Sequence, residues 1–278
     1  MGNHLILLAA SKKDQASMNI TKKLLEGYPF KPCEETFKDA EIYALEKNGQ
    51  NVRLAVLDGE LIHAQTITDF SPSIELIIFL SRHSSEKGIP TLSVHTPGNL
   101  GKAEFGGITR KLSVAPANAM KTALKVMAQL AKEKVLAYKV SYECTHHGPS
   151  LDAPAMFVEL GSTPKQWADM EAAKVIAHAA METVANFKKR EAQAAIGIGG
   201  PHYNEKFTKI ALESNIAFGH IIPKYTIPEI DEEILSQCVQ KTLEKVELAL
   251  LDWKGIKGED KQHVVEMLEN LGLKIQKV

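Results

Sequence analysis

The sequence predicts an α/β fold built on a mixed, mostly parallel sheet, and three observations carry that expectation. Short apolar runs alternate along the chain with segments of helical period, as strands and helices do in such folds. Two of the runs are joined by an Asn-Gly turn, which reads as a hairpin beside an otherwise parallel arrangement. Several strand-like runs stop in polar clusters rich in histidine, and the crevice beyond the carboxyl ends of strands is where open α/β sheets bind ligands.

Taken in order, Leu5 to Ala9 reads as a buried strand. The segment up to Leu25 reads as a helix capped by Asp14, whose carboxylate can accept from the free amides of the first turn. Ile42 to Leu45 and Val52 to Leu57 flank Lys47-Asn48-Gly49, where two residues tolerant of positive φ favour a hairpin turn. Glu75 to Leu80 is a strand that runs out into Ser81-Arg82-His83, and Thr91 to His95 a second that ends in Thr96-Pro97-Gly98-Asn99. In Pro116 to Lys132, apolar residues recur every three and four positions and leave Lys121, Lys125 and Lys132 on the opposite face. With Lys102, Arg110 and Lys111 nearby, that face is either a phosphate-binding patch or a solvated helix surface. Lys134 to Tyr142 alternates loosely as a strand and ends in Glu143-Cys144-Thr145-His146-His147-Gly148-Pro149, where the proline lacks a ladder donor. Ala155 to Leu160 is a further apolar strand. Thr163-Pro164-Lys165-Gln166 is a capping box opening one long helix, with an apolar face from Trp167 to Phe187 and with His178 as a structural residue.

Ala194 to Ile198 is a strand that leads into Gly199-Gly200-Pro201-His202-Tyr203 and a helix from about Glu205. A dinucleotide fingerprint starting at Gly197 would need glycine where His202 stands, Pro201 removes an amide, and no Walker-type Lys-Ser/Thr pair follows. Ile216 to Ile222 carries Gly219-His220, and the remainder reads as a helical C-terminal part: Glu229 through Trp253, then Glu259 to Leu271, with a short strand at Lys274 to Val278.

At 278 residues, with 44% hydrophobic and 24% charged, the chain is expected to form a single unit spanning residues 1–278. Its longest apolar run, Leu5 to Ala10, is far too short to cross a bilayer, and the N-terminus lacks a signal-peptide pattern, so neither membrane insertion nor secretion is expected. Three scattered cysteines without a Cys-x-x-Cys pair fit a reducing cytoplasm. A net charge of −1 gives no global attraction to nucleic acid, so a polyanionic partner would need a local patch.

The chemistry gathers on Glu143, His146, His147, His95, His83, His202 and His220, nearly all at strand ends or Gly/Pro turns. Imidazole titrates near neutrality and is the commonest zinc ligand, so a carboxylate beside several imidazoles suits either a hydrated Zn²⁺ or a histidine base oriented by Glu143. Adjacent His146 and His147 on an extended backbone would point to opposite faces and would not share one ion. Cys144 and His146, two residues apart, share a face as a nucleophile and base would, although a cysteine in an apolar strand is usually an inert packed residue.

The strings Ser81-Arg82-His83, His95-Thr96-Pro97-Gly98-Asn99, Glu143-Cys144-Thr145-His146-His147-Gly148-Pro149 and Gly197-Ile198-Gly199-Gly200-Pro201-His202-Tyr203 resemble the archaeal and plant type of D-aminoacyl-tRNA deacylase. That resemblance runs from the first strand to about Tyr225. It implies hydrolysis of the ester between a D-amino acid and the terminal ribose of tRNA, zinc dependence, and a three-layer α/β/α fold similar to phosphorylases and peptidyl-tRNA hydrolases. On this basis His95, Glu143, His146 and His202 are expected to hold metal or activate water, with His83 and His147 positioning the acyl end or ribose. Gly199, Gly200 and Asn99 would face the substrate, and Lys121, Lys125 and Lys132 would hold acceptor-stem phosphates. A monomer without an obligate protein partner is expected. The same residues would also serve a zinc peptidase or amidohydrolase, or a non-catalytic RNA-binding module.

Overall fold

The computed structural model describes residues 4–47 and 49–278. Its strands are β1 (Leu5–Ser11), β2 (Lys31–Pro32), β3 (Glu41–Lys47), β4 (Gln50–Leu57), β5 (Ile74–Ser84), β6 (Thr91–His95), β7 (Lys139–Tyr142), β8 (Ala155–Ser162), β9 (Gln193–Ile198), β10 (Ile216–Ile222), β11 (Leu248–Leu251) and β12 (Lys274–Lys277). Its α-helices are α1 (Gln15–Gly27), α2 (Ala117–Glu133), α3 (Pro164–Trp167), α4 (Met170–Asn186), α5 (Glu205–Glu213), α6 (Glu232–Gln240) and α7 (Gly258–Asn270).

The mixed, mostly parallel sheet is present, with eight strands in the order β2-β3-β4-β1-β5-β8-β6-β7. Its antiparallel pairs are β2 with β3, the β3–β4 hairpin, and β6 with β8. Gly49 in the hairpin has the positive φ (+74°) that such a turn requires, while Asn48 lies outside the described residues. The strands after residue 190 form a separate, all-parallel sheet of four in the order β10-β9-β11-β12. Alternating side chains of that second sheet enter two clusters. Ala195, Phe218 and Leu250 join the large core shared with α1, α2, α4 and α5, whereas Ile196, Ile222 and Leu251 pack under α6 and α7. The layers are therefore helix, sheet and helix there. One continuous apolar cluster runs through both sheets.

Local physics decides where the elements differ from the sequence expectation. Asp14 caps α1 by accepting from Ser17 N. The helix opened by the Thr163 capping box stops at Trp167, because Asp169 accepts from Glu171 N and Ala172 N and starts α4 afresh. The run from Lys134 is strand only from Lys139: Val135 sits at φ +55° with Leu136 N donating to Ala131 O, closing α2 in a left-handed turn. Leu248–Leu251, expected to be helical, is a fully buried strand whose two faces meet different clusters, so its four apolar residues show no period at all.

Phe218 ties the second sheet to the first, with its ring 4.7 Å from Phe207 and 6.1 Å from Tyr142 at the end of β7. We propose that the two sheets unfold as one unit. Phe218→Ala should cost about 3–5 kcal/mol. Trp167, beside the first sheet, and Trp253, beside the second, should still report one coincident transition in chemical denaturation. Separate transitions would mean two independent units.

Candidate active site

Four chain segments line one cleft of about 540 Å³, and a fifth packs a buried histidine against it. From β5 comes His83, from β8 Glu159, and from the end of β6 His95. The segment after β7 brings Glu143, His146 and His147, and the loop after β9 brings His202 and Tyr203. Register places them together: Ser81 pairs with Glu159, which pairs in turn with Ser93, so the ends of β5, β8 and β6 lie side by side. Gly161, opposite His83, leaves room for that ring, since a Cβ there would sit 2.6 Å from His83 Cβ. The loop from the second sheet is stitched on by its backbone: Cys144 N donates to His202 O at 2.9 Å and Asn204 N to Tyr142 O at 3.0 Å.

The site divides into two groups. In the first, the rings of His95, His146 and His147 are packed together, with centroids 4.2 Å apart for His95–His146, 4.0 Å for His146–His147 and 5.0 Å for His95–His147. Each offers a ligand atom within 4.8 Å of the others. His146 Nδ1–H donates to Cys144 O at 2.8 Å and His95 Nδ1–H to Thr96 O at 3.3 Å, which leaves a lone pair on Nε2 of each. His95 Nε2 and His147 Nδ1 are buried and have no hydrogen-bond partner among the described residues. Burial, reinforced by the neighbouring rings, holds His146 well below the ordinary imidazole range and brings His147 down to about 4. His146 and His147 are thus held as neutral imidazoles, and His95 Nε2 and His147 Nδ1 stand free, as a cation ligand requires.

The second group is charged. Glu143 and Glu159 are fully buried, and His83 Nδ1 lies 3.3 Å from Glu143 Oε1 and 3.6 Å from Glu159 Oε2. His202 Nε2 is 2.9 Å from Glu143 Oε2, while its Nδ1 meets Tyr225 OH at 3.0 Å and Cys144 Sγ at 3.2 Å. Burial works against the charge on His202, but Cys144 and Glu143 outweigh it and push the pKa up to about 10. For His83 burial is likewise overcome, by Glu159 and Glu143, and the pKa rises. Burial alone would raise both carboxyls, yet the imidazoles hold them well below the usual carboxylate range: His202 and His83 for Glu143, His83 and His95 for Glu159. Tyr203, on the cleft wall, hydrogen-bonds His83 Nε2 through its hydroxyl at 2.7 Å.

All the expected site histidines except His220 converge, but their grouping differs from the sequence expectation. His147 has φ +31°, not an extended backbone, and this turn swings its ring onto the same side as His146. Of the expected ligand set of His95, Glu143, His146 and His202, His146 sits between the groups: its ring packs on His95 and His147, and it also lies 4.4 Å from the His202 ring and 3.6 Å from Glu143 Oε2. The hydrogen bond of Cys144 Sγ is to His202 Nδ1 at 3.2 Å, while His146 Nδ1 is held by the Cys144 carbonyl. His220 is fully buried elsewhere, between Thr145 Oγ1 at 3.1 Å and Lys241 O at 3.2 Å.

The expected substrate contacts also change. Gly199 (φ +103°) and Gly200 (φ +76°) do not line the cleft; they pass against the Asp252–Gly255 turn, where a Cβ on Gly200 would come 3.1 Å from Asp252 Oδ2. Asn99 is buried and its amide donates to Gly106 O and Ile108 O, so it shapes a loop and does not face a ligand. Lys121 is buried, with its ammonium donating to Ser214 O at 2.6 Å and Ile216 O at 3.0 Å, and only Lys125 and Lys132 of that series are exposed. The residue the sequence reading missed is Glu159, a lone carboxylate in the otherwise uncharged strand AMFVELGS, and that isolation was its signal.

Residues 70–276 match the family described as D-aminoacyl-tRNA deacylase. The chain is 40% identical over 279 residues to the D-aminoacyl-tRNA deacylase of Pyrococcus furiosus, covering 98% of this chain and 99% of that one. It is 35% identical over 285 residues to the D-aminoacyl-tRNA deacylase of Methanosarcina mazei, covering 100% and 93% respectively. The crystal structure of AF0625, a conserved protein of unknown function, superposes with a TM-score of 0.90 at 31% identity, covering 100% of this chain and 96% of that one.

His220 gives a test of the electrostatics outside the cleft. Full burial brings its pKa down to about 4, so the unfolded chain binds its proton first and stability is lost as pH falls from about 6.5 to 4. That loss is on the order of 3 kcal/mol. His220→Gln, which keeps the hydrogen bonds and cannot charge, should lose less stability over this window in denaturant titrations at pH 7 and 4. An unchanged pH dependence would refute the assignment.

Proposed function

The chain belongs to the D-aminoacyl-tRNA deacylase family, and from that premise we propose that it hydrolyses the ester of D-aminoacyl-tRNA in this cleft, with zinc held by His95, His146 and His147. The observation that carries the reading is the trio itself: two of its rings spend Nδ1–H on backbone carbonyls, and buried nitrogens are left over that a cation would use. Bound there, zinc would acidify a water and polarise a carbonyl. The donor set fits. Three histidines with a remaining open position are the pattern of hydrolytic zinc sites.

The chain's own residues supply the rest. Water adds to the ester carbonyl carbon, the bond to the ribose oxygen breaks, that oxygen takes one proton, and the D-amino acid leaves as a carboxylate while the second proton of the water passes to solvent. Negative charge builds on oxygen during both steps. His83 and His202 are each held on both ring nitrogens, so they act as fixed positive charges beside the developing oxyanion and need no reorganisation. Glu143 and Glu159 keep them charged, which makes the carboxylates positioning residues. Tyr203, bonded to His83 and facing the cleft, is the hydroxyl placed to hand a proton to the ribose oxygen. Leu61, Ile62 and Phe105 give the same cleft an apolar wall for the amino-acid side chain. A cytoplasmic monomer suits this reading, with all three cysteines free.

Release of tyrosine from matched D- and L-tyrosyl-tRNA tests it directly. The D ester should be lost rapidly, the L ester spared, and chelation should abolish turnover until zinc is restored. Loss of neither ester would sink the reading. Within the site, His147→Ala should lower kcat about a hundredfold or more and reduce bound zinc measured by atomic emission. Glu159→Gln should lower kcat while zinc content stays near that of the parent. Full activity in His147→Ala would remove it from the trio.

A further inference from the structure

The catalytic cleft does not end at Tyr203. That residue also lines a second cleft of about 660 Å³, between the β5–β6 connection, β7 and α5, and the two share the chain at Ser84 and Ser85. Resting on the deacylase reading above, we propose that this second cleft holds the unpaired 3′ nucleotides of the tRNA, next to the terminal ribose, through their phosphates.

Charge, accessibility and continuity support the assignment. Lys87, Lys139 and Lys209 stand on the walls, all exposed. Glu205 pairs with Lys139 at 3.0 Å, whereas Lys87 and Lys209 make no ion pair among the described residues. Glu213 is the remaining acid, so the two unpaired lysines leave a local positive excess on a chain of net charge −1. Ile89 is 42% exposed at the same place, an apolar side chain that nothing in the fold covers and that a ribose or base edge would. A cleft of this size takes single nucleotides and not a duplex. Grooves that track a single strand combine free cations with uncovered apolar surface in this way. The continuity is directional as well: a strand whose terminal ester lies beside His83 meets Tyr203 and then these lysines.

The lysine face of α2 is the competing surface, and it fails on position. Lys121 is enclosed by two carbonyls, which leaves Lys125 and Lys132 on a helix surface that lines neither cleft.

The test compares the parent protein with Lys87→Glu plus Lys209→Glu, both exposed positions where folding is not at stake. Two substrates are used, D-tyrosyl-tRNA and the D-tyrosyl ester of adenosine, which carries no phosphate. On the tRNA, kcat/KM should fall about tenfold or more through KM, and its dependence on log salt should become shallower by about one. The adenosine ester should be cleaved within about twofold of the parent rate. Unchanged kcat/KM and salt slope on tRNA would overturn the proposal, as would an equal loss on both esters. Binding of fluorescently labelled uncharged tRNA reads the same contact without turnover: weakening of about tenfold supports the cleft, and equal affinity overturns it. If the parent cleaves neither ester, the deacylase reading falls, and the binding experiment still decides the cleft.

Discussion

Two carboxylates, Glu143 and Glu159, are buried at the meeting point of five chain segments, and the arrangement around them follows from the need to neutralise them there. A buried carboxylate without a partner costs several kcal/mol, more than a marginally stable domain can absorb twice. The partners arrive from different elements: His83 from β5 lies within 3.6 Å of both carboxylates, and His202 comes from the loop after β9 in the other sheet. The charge cluster therefore binds the two sheets at their ligand-facing ends. The hydrogen bonds from Cys144 and Asn204 to the facing loop and strand end keep that junction in register.

The same low dielectric gives opposite results a few ångströms away. His146 and His147 pack against each other and against His95, and there burial and mutual repulsion outweigh the pull of Glu143, which lies 3.6 Å from His146 Nε2. His83 and His202 touch carboxylates and are driven to the charged form. Imidazoles that are chemically identical in the sequence are thus sorted into neutral and charged forms by their surroundings. One backbone angle completes the sorting, because the left-handed turn at His147 brings its ring to His146 and away from the opposite face.

Much of this was legible in the sequence, for identifiable reasons. Apolar runs that stop in His-containing turns located His83, His95, His146, His147 and His202, because the end of a strand is a topological fact that period and Pro/Gly punctuation report. Asp14, the Thr163 capping box and the Asn-Gly hairpin followed from local hydrogen bonding and φ preference. What stayed hidden depends on contacts between distant segments. The pairing of His202 with Glu143 spans 59 residues, and that of Tyr203 with His83 spans 120. Glu159 looked like one polar position in a core strand until its neighbours were in place. Leu248–Leu251 could not announce itself as a strand, since a segment buried on both faces has no alternation to read.

The lysines make the same point for binding. On α2, helical period alone puts Lys121, Lys125 and Lys132 on one face, and a periodicity argument must count all three as available charge. In the folded chain the Lys121 ammonium donates to Ser214 O and Ile216 O, anchoring α2 to the start of β10, and burial brings its pKa down to about 8. A charge already engaged inside the protein cannot also attract a phosphate. With a net charge of −1, long-range attraction to RNA is absent, so affinity has to come from cations whose nearest acid is farther away than the ligand would be. Lys87 and Lys209 make no ion pair among the described residues and line the cleft that adjoins the site at Tyr203, whereas Lys139 is held by Glu205. Where a polyanion binds on a near-neutral protein therefore depends on which cations the fold leaves unpaired and whether it sets them beside the site, and counting basic residues along the sequence cannot find them.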